Sequence, residues 1–206
     1  QDVTKEIAEV EELDKPRGAL VASVAENSPS EKAGIQAGDI ILEFNGVEIK
    51  QMKELPAIVA RTDVGKNVDV KIWRNKKEIT KKVLLGRLET SDDFKVSENP
   101  KKDENNLDEI IESLRISVRP LTKEDIKNRK LPNQITGLVI TNMANNSPLV
   151  NSIEINSIII EVQKKKIRSA DDLREITQKA LNSNQKTILI AIYNNQNQRR
   201  YIGVKL

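Results

Sequence analysis

The sequence predicts an α+β protein built from two copies of one small domain, each a partly open β-barrel or sheet with two helices. Three observations support this fold class. The second half of the chain repeats the residue pattern of the first, each copy combines short apolar strands with helical segments, and a polar segment separates the copies. The predicted boundaries are 1–89 for the first domain, 90–106 for a linker and 107–206 for the second domain.

Composition restricts the functions open to this chain. Its 206 residues contain 34 Lys and Arg, 31 Asp and Glu, no His and no Cys. A formal net charge of +3 creates no strong field, so we expect no nucleic-acid partner. No apolar run is long enough to predict an integral membrane segment. Because His and Cys are missing, we expect no Ser-His-Asp triad and no zinc site, and the sequence predicts no catalytic residue, metal or cofactor.

The stretch GIQAGDIILEFNG, residues 34–46, predicts a helix end, a tight turn, a buried strand and a hairpin. Just before it, Ser28 is a typical N-cap and Pro29 fits the first position of a short helix. Gly38 precedes Asp39 where we expect a positive φ. Asn45-Gly46 is typical of a type I′ turn, which needs positive φ at both central residues.

The second copy repeats this order with different turn residues. Its strand SIIIEV, 157–162, corresponds to DIILEF, 39–44. Three glycines are replaced: Gly34 by Ser152, Gly38 by Asn156 and Gly46 by Lys164. Asn tolerates the left-handed conformation, so the turn at Asn156 is expected to persist. Lys tolerates it poorly, so we expect a longer or different hairpin at Lys164.

Helices and closing strands follow the same plan in both copies. Helical segments are predicted at 4–13 and 51–61 in the first copy, and at 122–131 and 169–181 in the second. Strands are predicted at 67–73, 78–85, 186–193 and 199–206. Just before the second copy, helical spacing predicts a short amphipathic turn that contains Leu107, Ile110, Ile111 and Leu114.

The run SPSEKAGIQAGDIILEFNG, residues 28–46, resembles the signature of bacterial PDZ domains. The tandem arrangement resembles the C-terminal half of the HtrA/DegP family of periplasmic serine proteases. This resemblance covers nearly the whole chain outside the linker and is weaker in the second copy. It implies a protease domain upstream of this chain, a periplasmic location and a role in protein quality control.

The resemblance also implies a peptide-binding groove in each copy. An extended peptide adds to the exposed edge of a strand beside a helix, and backbone amides of the preceding loop bind its carboxylate. The family pattern YLGV is SLRI here, with Arg115 in the position of Gly. The implied groove residues are Ser113, Leu114, Arg115, Ile116, Ser117, Val118, Ile176 and Lys179 in the second copy, and Ile58 and Arg61 in the first. The first copy has no counterpart of 113–118, which indicates a cut inside its own loop.

Each of these assignments has a simpler alternative. Ile58 and Ile176 fit a role in the core equally well, because apolar residues on a helix usually pack against the sheet. The charged residues Arg61, Arg115 and Lys179 fit solvated side chains better than ligand contacts.

Three functions remain compatible with the sequence. By resemblance, the chain recognises unfolded proteins or peptide C-termini and regulates a cognate protease domain and a homo-oligomer, built from trimers in the full-length protein. The alternative is a non-enzymatic adaptor or oligomerisation domain that binds no free peptide. A third is a binder of anionic surfaces through 164–166. Peptide titration separates the first two functions, and the salt dependence of binding identifies the third.

Overall fold

The computed structural model describes residues 1–86, 108–183, 185 and 187–206. The chain divides into two compact units, 1–93 and 94–206. The predicted linker, 90–106, lies outside the described residues, and so does Leu107. Within the described ranges, no helix combines the length and the apolar character needed to span a bilayer.

The first unit is an open antiparallel sheet with short helices. In the described part of this unit, the helices are α1 (Lys5–Glu11), α2 (Pro29–Lys32) and α3 (Glu54–Ala60). The strands are β1 (Ala19–Leu20), β2 (Ile40–Phe44), β3 (Val47–Glu48), β4 (Asn67–Arg74) and β5 (Lys77–Leu84). They pair in the order β1-β2-β4-β5, with β3 beside β2. The buried core includes Ile41, Phe44, Ile49, Val70 and Ile72.

The second unit repeats this plan with longer elements. Its helices are α4 (Lys123–Asn128) and α5 (Ala170–Asn182). Its strands are β6 (Glu109–Ile111), β7 (Ile116–Pro120), β8 (Leu138–Met143), β9 (Ile158–Val162), β10 (Lys165–Lys166), β11 (Thr187–Tyr193) and β12 (Arg199–Lys205). The strand order is β12-β11-β9-β8-β7-β6, with β10 beside β9. Neither sheet closes on itself in the described residues, and the predicted α+β class is confirmed.

Side-chain caps explain where α1, α2, α4 and α5 begin. Ser28 Oγ accepts a hydrogen bond from the Glu31 amide at 3.2 Å, with Pro29 as the first helical residue. Ser169 begins α5 through a capping box with Asp172. Each cap bonds amides that have no partner inside the helix, so a few polar residues fix the helix starts.

The tight turn before the central strand is the same in both units. Gly38 has a φ of 92°, and Asn156 has a φ of 70° at the corresponding place. The Gly38 amide donates to Val21 O, and the Asn156 amide donates to Ile140 O, both at 2.8 Å. The positive φ expected at Gly38 and the persistence of the turn at Asn156 are confirmed.

Gly38→Asn is therefore expected to be mild and Gly38→Val severe. Asn already occupies this conformation in the second unit, whereas a β-branched residue at positive φ loses roughly 1–3 kcal/mol. Chemical denaturation followed by tryptophan fluorescence tests this, because the only tryptophan of the sequence, Trp73, lies in the first unit. Equal small losses for the two variants would contradict the backbone explanation.

The hairpin prediction at Lys164 is wrong. Gln163 and Lys164 have φ values of 51° and 60°, and they form the same two-residue turn as Asn45 and Gly46, whose values are 49° and 79°. The Gln163 amide donates to Leu189 O at 2.8 Å, and its side-chain oxygen accepts from the Leu189 amide at 3.2 Å. These bonds to β11 offset a backbone strain of about 1–2 kcal/mol per residue.

The amphipathic helical turn predicted before the second copy is also not formed as expected. Residues 109–111 are strand β6, and 112–115 form the turn into β7. Ile111 is fully buried, whereas Ile110 is 63% exposed. This alternation has the period of a strand, and pairing with β7 determines it.

Candidate peptide-binding groove

The predicted groove strand is β7, and both of its edges are paired. It lies between β8 and β6 in the sheet. Ile116 and Val118 point into the core and are buried, while Ser117 is half-buried on the other face. A peptide that adds to this strand needs a free row of backbone groups. In this structure, β6 pairs with the edge of β7 that does not face β8, so this row is not free.

The turn 112–115 connects β6 to β7 and is anchored on both sides. Leu114 is fully buried, and its carbonyl accepts a 2.6 Å hydrogen bond from Ser147 Oγ. Ser113 Oγ donates to Thr177 Oγ1 on α5 at 2.8 Å. The turn is therefore fixed against both the core and the helix.

Arg115 occupies a backbone conformation that favours glycine. Its φ is 53°, and its guanidinium donates to Asn146 O at 2.6 Å. The amides of Leu114 and Arg115 donate to Ile111 O and Glu112 O, both at 3.2 Å. A loop binds a terminal carboxylate through backbone amides that have no other partner. In this turn, the amides of Leu114 and Arg115 already bond to carbonyls of the chain itself.

Helix α5 supplies the other wall. Ile176 is half-buried and packs against the core of the unit. Lys179 is exposed and forms an ion pair with Glu175, and the hydrogen bond from Lys179 lowers the pKa of the Glu175 carboxyl. Exposed pairs within a helix contribute little to stability. Lys179 is thus a solvent-exposed charge, and its contact with a peptide stays a prediction.

Two α5 residues that the sequence analysis missed contact the turn and β6. Thr177 is fully buried; besides accepting from Ser113, its hydroxyl donates to Leu173 O at 2.8 Å. Arg174 forms a 3.0 Å ion pair with Glu109 and donates to Ile110 O at 3.2 Å. A polar residue within the buried stripe 170, 173, 177 and 180 was the signal that could have identified Thr177.

An open cleft lies between β6, the turn and α5. Hydrogen bonds to Asp171 and Glu109 raise the pKa of Arg174, which keeps a fixed positive charge at this cleft. The residues that line it are Ile110, Glu112, Ser113, Arg174, Glu175 and Gln178. This cleft lies beside the predicted groove residues of the turn and α5.

The two groove residues predicted in the first unit lie on α3 and at its end. Ile58 is half-buried on α3 and packs against the core, and Arg61 is exposed at the end of that helix. Gln1 exchanges two backbone hydrogen bonds with Leu20 of β1, at 2.8 and 2.9 Å. Asp2 accepts from the Met52 amide at 3.0 Å. Gln1 and Asp2 thus pair with β1.

Comparison with known proteins agrees with this geometry. The PDZ domain family model matches residues 7–85. A probable periplasmic serine endoprotease DegP-like from Rickettsia conorii is 36% identical over 198 residues, which is 93% of this chain and 38% of that protein. The protein of the same description from Hahella chejuensis is 32% identical over 181 residues, covering 87% of this chain and 37% of its own length.

The chain spans 38% of the length of the Rickettsia relative. A solved chain titled HtrA-type protease AlgW with decapeptide overlaps 45% of this chain at 19% identity and a TM-score of 0.36, too low to support conclusions. Residues 7–85 are thus a PDZ domain, the second unit is its PDZ-like duplicate, and the chain resembles the corresponding part of the HtrA/DegP-like serine endoproteases.

Proposed function

We propose that this chain is the peptide-recognition module of an HtrA-like serine endopeptidase. It selects extended, unfolded or C-terminal segments of substrate proteins and regulates the cognate protease domain and its oligomer in the periplasm. The observation that carries this proposal is 36% identity along 93% of the chain with a DegP-like endoprotease. The pairing of a strand and a helix in the second unit supports it, because peptides add to a strand edge beside a helix.

The chemistry is recognition without catalysis. Backbone hydrogen bonds along an edge give affinity for any extended chain, and pockets for alternate side chains give selectivity. The chain has no histidine, so it cannot supply the general base of a Ser-His-Asp triad. The protein is therefore expected to bind casein-derived peptides and not to cleave casein.

One observation favours a second function, that of an adaptor or oligomerisation domain that binds no free peptide. The edge of β7 is paired with β6. The turn amides of Leu114 and Arg115 are bonded inside the turn. A domain with its groove filled in this way contacts partners through its other surfaces.

Peptide titration separates the two functions. We expect a fluorescein-labelled ten-residue peptide ending in a free isoleucine carboxylate to bind, and its C-terminally amidated twin to bind more weakly. Fluorescence anisotropy measures both. No binding of either peptide would favour the adaptor. Equal binding of the two peptides that disappears at high salt would point to the lysines at 164–166 instead.

A further inference from the structure

Strand β6 lies where a peptide ligand of the second unit would lie. It pairs antiparallel with β7, with Glu109 opposite Val118, Ile110 opposite Ser117 and Ile111 opposite Ile116. It is the last strand of the sheet, and it also contacts α5. A peptide that adds to the edge of β7 beside α5 would take this same position.

The side chains of β6 are distributed like those of a bound strand. Ile111 is fully buried in the core of the unit, and Ile110 is 63% exposed. Glu109 points to α5, where its carboxylate lies 3.0 Å from the Arg174 guanidinium. Alternate residues of β6 thus occupy an apolar site and a basic site, as expected for strand addition.

The end of β6 occupies the place of a terminal carboxylate. Ile111 O accepts the hydrogen bond of the Leu114 amide at 3.2 Å. The chain then continues through Glu112 into the turn instead of ending. A free peptide with its last residue at Ile111 would present a carboxylate to the same amide.

From these contacts we infer that β6 is an intramolecular ligand that competes with external peptides for the groove of the second unit. This inference rests on the proposed function. The external ligand that fits best has the chemistry of β6: an apolar C-terminal residue in the site of Ile111, and an acidic residue two positions earlier, facing Arg174.

Strand β6 has the advantage in this competition, but its pairing with β7 is expected to open reversibly. A tethered strand acts at an effective concentration on the order of millimolar, so a free peptide binds weakly while β6 is in place. The β6–β7 ladder has only three residue pairs, and its ion pair with Arg174 is partly exposed. Short edge strands of this kind open more readily than the core.

A reversible disulfide provides the first test. The chain contains no cysteine, so Ile110→Cys with Ser117→Cys places the only two thiols opposite each other across β6 and β7. The probe is Asp-Glu-Ile-Ile, the sequence of 108–111, with an N-terminal fluorescein and a free carboxylate. We expect oxidation to abolish binding of this probe relative to the same variant in its reduced form. Asp69→Cys with Lys82→Cys, an exposed pair between β4 and β5, is the control pair.

Release of β6 provides the second test. Glu109→Pro with Ile110→Pro removes the backbone N–H groups of two adjacent residues. Because alternate residues of an edge strand bond to its neighbour, one of these two N–H groups lies on the side that faces β7. We expect at least tenfold tighter binding of the probe. Glu109→Ala with Ile110→Ala loses the same side chains but keeps both amides, and should gain much less. Hydrogen exchange of 116–120 reports directly whether β6 has left β7.

The outcomes separate this inference from the proposed function. Tight binding by the proline variant together with none by the oxidised cysteine variant supports the inference. Equal binding by the unmodified, oxidised and proline forms overturns it, while peptide recognition stands. If hydrogen exchange shows an open β7 edge and no form binds the probe, both the inference and peptide recognition by the second unit are wrong.

Discussion

Gly18→Ala is expected to remove much of the stability of the first unit. Gly18 has a φ of 91°, and a Cβ built on it would lie 2.6 Å from Ile41 O and 2.7 Å from Ile40 Cγ2. The oxygen belongs to the backbone of β2, the central strand, which pairs with β1, β3 and β4. It cannot retreat without disturbing these ladders.

The expected loss combines two effects. A side chain at this φ loses roughly 1–3 kcal/mol, and overlap inside a packed core adds roughly 1–3 kcal/mol. A domain has only about 5–15 kcal/mol of stability in total. The loss is measured by denaturation, with Trp73 reporting on the first unit and the tyrosines, Tyr193 and Tyr201, on the second.

Two matched variants divide the loss into its parts. Gly46 has a φ of 79° with no atom within 4 Å of its Cβ position, so Gly46→Ala keeps only the backbone effect. Gly137, the counterpart of Gly18, would place its Cβ 2.4 Å from Ile159 O, so Gly137→Ala should destabilise the second unit alone. Similar losses for Gly18→Ala and Gly46→Ala would mean that close packing is not the reason for the glycine.

Local chemistry made most of the fold predictable. The cap at Ser28, the positive φ of Gly38 and the strand predicted at 39–44 depend on residues adjacent in sequence. These predictions are confirmed, with the strand observed at Ile40–Phe44. The turn at Lys164 was not predictable in this way. It is held by hydrogen bonds to Leu189, far along the chain, which outweigh the local preference of lysine.

The site was less predictable than the fold, because edge pairing leaves no local signal. Leu107, Ile110, Ile111 and Leu114 fit helical spacing, and four positions are too few to exclude a short strand. Whether β7 has a free edge depends on a partner strand across a short turn. No sequence motif indicates a role for Arg174. Its contacts with Glu109 and Ile110, which only the structure shows, make it part of the candidate site.

The buried ion pair of the first unit gives the other large expected effect. Asp39 is 1% exposed, and its carboxylate binds the Arg74 guanidinium through two bonds, at 2.6 and 2.7 Å. The Gln36 amide also donates to this carboxylate, at 2.7 Å, and Arg74 donates to Gly34 O at 2.7 Å. The hydrogen bond with Asp39 raises the pKa of Arg74, which therefore stays charged.

Asp39→Ala is expected to lose up to about 3–5 kcal/mol, because it leaves the half-buried Arg74 guanidinium without its counter-charge. Asp39→Ala with Arg74→Met removes both charges and should recover much of the loss, since an apolar pair needs no partner. The duplication supplies the control: Ser157 takes the place of Asp39 in the second unit, and its buried hydroxyl makes no hydrogen bond. Ser157→Ala should change stability by less than about 1 kcal/mol. All three variants are measured by chemical denaturation, which is followed at Trp73 for the first unit and at the tyrosines for the second. If Asp39→Ala loses no more stability than Ser157→Ala, the ion pair contributes no net stability.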